Sequence, residues 1–303
     1  MAQTMAGRSV GKRIFAVVEP VSWAATVELS HGLVNWMFRG QASADWPLAT
    51  TLERKAEQSN CAADQIRGRE RWILRNFQRR MHHYLPNTPT DEGGLDRLAR
   101  LQHHGGPTRL LDWTYSFYIA AYFAMESATT DAAVWAVNVL GLDVAVRERL
   151  GSCVKATVPA LLLKRNGEIA EKILAQRESS PMVLHVEPYA LSERLSIQQG
   201  TFLFKADVQS SFMRNFAATW NVDPLRFTEP QKSIEPDDVV GAFGGFQVLK
   251  ILLPRSRHTS ALNDLWKMNI HAGTLFPGLD GFARSLQHHL RYHGPGEIHE
   301  RIY

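Results

Sequence analysis

The segment Ser116–Ala128 (SFYIAAYFAMESA) constrains the fold more than any other stretch of the chain. Its only charged residue is Glu126, so a helix built from it has no polar face to offer water and must be buried nearly all round. Leu110–Thr114 leads into it from the sharp Gly105-Gly106-Pro107 turn, and a strand-like run, Ala132–Val139, follows it. The chain of 303 residues is 45% hydrophobic and 21% charged, a globular composition with length enough for a sizeable core. Disorder, collagen and coiled coil are thereby excluded. The most apolar region, Ala132–Val146, is interrupted by Asn138, Gly141 and Asp143, short of the ~18 apolar residues a membrane span requires. The opening residues, MAQTMAGRSVGKRIF, hold no apolar core of signal-peptide length. Two cysteines, Cys61 and Cys153, suit neither a disulfide framework nor a zinc knuckle. These features predict a reduced, soluble, cytoplasmic protein with no membrane partner, and a formal net charge of +4 leans toward an anionic one.

No repeat, low-complexity segment or long linker divides the chain. It reads as one large domain over residues 1–303, with the chemistry-bearing motifs in residues 22–128 and the remainder of the same fold in residues 129–303. Val21–Ser30 reads as a helix, N-capped by Ser22 and closed by Gly32. Leu33–Arg39 reads as a buried strand ending at Gly40, and QASADWPLATTLERK as loop and turn. Gln65–Tyr84 is the clearest helix, with Ile66, Ile73, Leu74, Phe77, Met81 and Tyr84 on one face. Leu95–Gln102 is a short helix and Leu142–Leu150 another; Met182–Glu187, Gly200–Ala206 and Phe246–Leu253 are strands. Helices follow over Ser211–Trp220, near Ser260–Asn269 and over Leu279–Tyr292. Strands and helices mix without regular alternation, which predicts α+β, with mixed or antiparallel sheets and packed helices, over a doubly wound parallel sheet.

There is no P-loop, no G-x-G-x-x-G after a strand, no H-E-x-x-H and no G-x-S-x-G, so kinase, zincin and serine-hydrolase chemistry have no support. Of twelve histidines, only His289 and His293 share a helical face at i, i+4, and solvated surface is the better reading there, so no metal is expected. Two segments use expensive residues. In Phe38-Arg39-Gly40-Gln41 an arginine follows the apolar run Trp36-Met37-Phe38, and burying a guanidinium is costly unless an anionic ligand or an internal carboxylate meets it. The following glycine permits close approach of a ligand or a sharp turn. In Leu101–Thr114 (LQHHGGPTRLLDWT), polar side chains are concentrated between apolar flanks. They predict a convergent pocket, or else an Arg109–Asp112 ion pair locking a turn with Trp113 as core anchor. Arg71, Arg75 and Arg79 form a row at i, i+4, i+8 in a helix where only Glu70 opposes a run of arginines. Such a stripe is either a solvated face or a track for a phosphate backbone.

FRGQ, followed downstream by LQHHGGPTRLLDWT and the Ala-rich aromatic helix SFYIAAYFA, resembles the FRG domain, a family called after its Phe-Arg-Gly. The resemblance is strong over Ser22–Ala128, and IQQGTF at 197–202 and AGTLFPGLDG at 272–281 also resemble stretches of full-length members. His104 departs from the tyrosine usual at that position. Members are bacterial and phage-linked proteins. In outline the motif order is similar to ADP-ribosyltransferases, which implies an ADP-ribosyltransferase-like core and NAD as substrate. On that reading Arg39, Gly40, Gln41, Thr108 and Arg109 bind NAD, the two arginines holding its pyrophosphate. Trp113 or Tyr115 stacks on the nicotinamide. Gln198-Gln199 stands where such enzymes carry glutamate, so Asp112 must supply the carboxylate, with His103 as proton acceptor. The acceptor favoured is nucleic acid held by Arg71, Arg75 and Arg79. A toxin or phage-defence role, restrained by a neutralising antitoxin-type protein, follows from the resemblance. The alternatives are an NAD glycohydrolase and a non-catalytic module that binds a nucleotide or a partner.

Overall fold

A computed structural model describes residues 14–84, 92–151, 159–176, 179–222, 245–288 and 290. Seven strands form one continuous sheet: β1 (Phe15–Val18), β2 (Trp36–Gln41), β3 (Leu110–Thr114), β4 (Ala132–Asn138), β5 (Val183–Val186), β6 (Gly200–Lys205) and β7 (Val248–Leu253). Their spatial order is β1-β7-β4-β2-β3-β6-β5. Only β1 and β7 run parallel; every other neighbouring pair is antiparallel. The class is α+β, a mixed open sheet with packed helices.

Alternation along the central strands sends side chains to two cores. Trp36, Phe38, Ala132, Val134 and Ala136 face one layer, while Met37, Trp135 and Val137 face the other. The first layer is built on α5 (Phe117–Met125), with α1 (Trp23–His31), α10 (His258–Lys267) and α11 (Ala272–Leu275) around it. Buried on nearly every side as its composition requires, α5 lies against β2 so closely that a Cβ on Gly40 would sit 2.0 Å from the Ala120 carbonyl oxygen. The opposite layer is α4 (Gly94–His103), α6 (Val139–Arg149), α7 (Pro159–Ala175) and α9 (Phe212–Thr219).

Several expectations from the sequence are corrected. β2 does not end at Gly40 but runs through it to Gln41, because the missing side chain is needed for α5 and not for a turn. The stretch expected to be all loop contains α2 (Thr51–Gln58), whose start is fixed by Thr50 Oγ1 accepting from the Glu53 amide at 3.2 Å. The long helix, α3 (Ala63–Arg80), gives way to a 3-10 turn over Met81–His83, which leaves Tyr84 exposed and off the apolar face. Glu70 does not oppose the arginine row; it is buried on the core side of α3. Two short helices that the sequence reading lacked, α8 (Glu193–Ile197) and α11, lie close together. The last helix is α12 (Leu279–Ser285). Residues 1–13, Cys153, His289 and His293 lie outside the described residues. No described helix is long and apolar enough to cross a membrane.

Candidate functional site

β2 and β3 share a single register pair, Phe38 with Thr114. Beyond it the strands part, and a cleft of about 650 Å³ opens between Phe38-Arg39-Gly40 on one side and Asp112-Trp113-Thr114 on the other. The C-terminal end of α4 (Gln102, His103, His104) and the Gly105-Gly106 turn form one wall, and α8 (Arg194, Leu195) with Ser192 and Gln198 forms the other. The volume falls in the range of small-molecule sites, about 300–1,000 Å³.

Arg39 lies on the wall with its side chain 18% exposed. Its Nη1 donates to the Asp112 carbonyl oxygen at 2.7 Å and lies 3.9 Å from the Asp112 carboxylate. Removal from water holds its pKa below the ordinary guanidinium value, with Asp112 opposing the shift and Arg54 adding to it. The Asp112 side chain is 58% exposed. Arg194, which the sequence reading missed, stacks its guanidinium over Phe276 at 4.6 Å. Burial lowers its pKa, Asp112 opposes that shift and Arg284 adds to it. His103 sits at the rim with Nδ1 3.4 Å from Ser192 Oγ. Burial holds its pKa below the usual imidazole value, helped by the positive charges of His104, Arg194 and Arg100, so it is neutral near pH 7.

The cleft is rich in donors. Among the described residues Arg39 Nε, Gln102 Nε2 and Trp113 Nε1 are buried without a hydrogen-bond partner, and all three residues line it. Orphaned N–H groups on the residues around one cavity are complementary to a ligand that brings acceptors. Glu92 is held bidentately by Arg100, and Asp96 Oδ1 accepts from the Ala190 amide at 3.2 Å. Asp112 is therefore the cleft carboxylate with the least local commitment.

Of the residues expected to converge, Arg39, Gly40, His103, Asp112, Trp113 and Gln198 line this cleft. The others do not. Arg109 is 2% exposed; its Nε donates to Glu70 Oε1 at 2.7 Å, its Nη2 contacts Glu70 Oε2, and its Nη1 donates to the Ala206 carbonyl at 3.0 Å. Every face of this guanidinium is occupied, so Arg109 is not the second cation, and its partner is Glu70 rather than Asp112. Thr108 is fully buried, its hydroxyl spent on Gln102 and its amide on Thr51 Oγ1 at 3.0 Å. Gln41 accepts from Trp135 Nε1 at 2.8 Å and donates to the Pro47 carbonyl at 3.1 Å, a strut between strand and loop.

Tyr115 lies outside the cleft and donates to Glu187 Oε1 at 2.6 Å, with His185 Nε2 at 3.1 Å. The accessible rings in the cleft are Phe123, His103 and His104. Gln199 is an exposed turn residue at φ +46 whose carbonyl accepts from the Tyr115 amide. Gln198 donates its side-chain amide to the Leu275 carbonyl at 2.9 Å, and its own carbonyl accepts from Thr114 Oγ1 at 2.7 Å. Gln198 thus satisfies a backbone carbonyl of α11, and Gln199 meets Tyr115 through its own main chain. Arg71 is also engaged: its Nη2 donates to the Gln176 carbonyl at 2.6 Å, capping the C-terminus of α7. Among the described residues no group of His, Cys, Asp and Glu side chains comes together as a metal site.

An α+β protein with a parted central sheet and a donor-lined cleft is thus the class that fold and site define. Residues 34–133, which carry both β2 and the α4–β3–α5 unit around that cleft, match the FRG domain family: the chain contains an FRG domain. No curated protein and no solved structure matches the chain.

Proposed function

We propose that the cleft binds NAD and that the protein transfers its ADP-ribose to a macromolecular acceptor, with nucleic acid favoured and water as the variant acceptor. The observation that carries this reading is the set of unpartnered N–H donors beside Arg39 and Arg194, which suits a pyrophosphate. Arg194 takes the place first given to Arg109 as second cation, and Phe123 or His104 the stacking place first given to Tyr115. In the reaction the C1′–N bond to nicotinamide breaks, its electron pair leaves with nicotinamide, and positive charge builds on the ribose. Asp112 across the cleft would stabilise that charge. The acceptor oxygen or nitrogen then bonds to C1′ and gives up its proton to His103, which is neutral at the working pH. An activity that modifies the cell's own macromolecules fits a bacterial toxin or phage-defence effector kept in check by a neutralising partner.

The test is nicotinamide release from NAD by the purified protein, with candidate acceptors present. Wild type should release it, and Arg39→Ala and Asp112→Asn should each lower the rate about 10²-fold or more while remaining folded by circular dichroism. Equal background release from all three proteins overturns the enzymatic reading. The second reading, a non-catalytic nucleotide-binding module, is favoured by one observation: the side-chain amide of Gln198, at the position where the resemblance to such transferases implies a carboxylate, is tied to the Leu275 carbonyl. NAD binding without cleavage, lost in Arg39→Ala, would establish it.

A further inference from the structure

The outward face of α3 is chemically distinct from the cleft, and no residue of this helix lines that cavity. Ile66 and Glu70 are buried and Ile73, Leu74 and Phe77 partly so, which turns that side of the helix to the core. Glu70 is the only acidic residue between Gln65 and Arg80, and Arg109 takes it inward. The solvent side from Arg69 to Arg80 is therefore basic throughout, and the one exposed acid of the helix, Asp64, stands in its first turn, about two turns before Trp72. At its middle stands Trp72, 65% exposed. At 100° per residue Trp72 and Arg79 fall within about 20° of each other, with Arg69 and Arg75 about 60° to either side. Among the described residues no ion pair engages Arg69, Arg75 or Arg79. Arg71 alone of the row is committed, to the end of α7.

A flat indole set among free guanidiniums matches a partner that alternates a flat aromatic surface with negative charge. Duplex DNA or RNA offers phosphates but keeps its base faces stacked inside, and an acidic peptide offers charge with nothing flat to cover the indole. An unpaired strand offers both, since every base has an open face and every linkage a phosphate. We propose that the outer face of α3 binds single-stranded nucleic acid, with Trp72 stacked on a base and Arg69, Arg75 and Arg79 on the flanking phosphates. This surface assigns the strand form of the acceptor in the reading above, but its binding does not depend on NAD being cleaved.

Fluorescence anisotropy with a labelled oligothymidine of about twenty nucleotides tests the idea, with a duplex of equal length and poly-glutamate as competitors. The single strand should bind best. Trp72→Ala should weaken it by about fivefold or more without changing the salt dependence, which follows from a lost stack worth roughly one base. Arg75→Glu with Arg79→Glu should weaken it and lower the salt slope by about one to two units. Binding unchanged in Trp72→Ala overturns the proposal, as does duplex binding equal to single-strand binding or equal competition by poly-glutamate. Nicotinamide release into water should be unaffected by Trp72→Ala, and oligonucleotide binding unaffected by Asp112→Asn, so failure of the surface and failure of the cleft reading show up in different assays.

Discussion

Arg109 carries its charge inside the protein, in a two-pronged contact with Glu70 and under the ring of Phe204, 5.2 Å from its centroid. Removing one member of such a pair leaves the other charge buried and uncompensated. Glu70→Ala is expected to cost about 3–5 kcal/mol of stability, while Glu70→Leu combined with Arg109→Met recovers a large part, as read from urea midpoints. His185 is the second buried titratable group to test. It is enclosed in β5, with Nε2 2.9 Å from Thr201 Oγ1, and burial pushes its pKa down from 6.5 to about 4. Between those two values the unfolded chain binds the proton more readily than the folded one. Stability is then greatest above pH 6.5 and falls as the pH drops toward 4, by up to about 1.4 kcal/mol per pH unit from this residue. Urea unfolding at a series of pH values should show that slope in wild type and a flatter one in His185→Asn; parallel slopes would refute it. Neither partner, Glu70 or Thr201, can be read from one dimension, because each lies in an element remote from the residue it satisfies.

At the scale of elements, the packing of α5 on β2 rests on Gly40. An added Cβ would meet backbone, the Ala120 carbonyl oxygen at 2.0 Å and the Ala124 nitrogen at 2.5 Å, so relief requires the helix to move. Gly40→Ala is expected to lower stability by about 1–3 kcal/mol and to shift the cleft, since Arg39 and Phe123 belong to the same strand and helix. Thermal unfolding checks the first effect and NAD affinity the second. The elements whose own residues declare them were legible: α1 with its Ser22 cap, α3, α5 and the apolar strands β4 and β6. α2 was not, because only Leu52 on it is buried and its signal lies in the Thr50–Glu53 cap, whose Glu53 is also drawn to Lys205 Nζ at 3.0 Å. Hydrophobic periodicity cannot see a helix held by polar contacts with distant strands.

For the molecule as a whole, the parting of β2 from β3 is what turns a packed sheet into a container. Ligand bound there should stabilise the folded state by mass action, by about 2.7 kcal/mol at a hundredfold excess over Kd. A rise in melting temperature with NAD in wild type, absent in Arg39→Ala and reduced in Arg194→Ala, is the expected result. A rise of equal size in all three would place NAD elsewhere. The irregular mixing of strands and helices and the nearly all-apolar character of α5 determine, without any coordinates, an α+β fold in which that helix is buried; that FRGQ and the strand of LQHHGGPTRLLDWT stand near the centre of the sheet comes from the strand order. Which of two costly arginines faces an opening and which is sealed was decided only in three dimensions. Burial of a charge becomes tolerable through the partner that happens to lie across the fold: for Arg109 the carboxylate of Glu70, for Arg39 little more than a carbonyl oxygen and a distant acid.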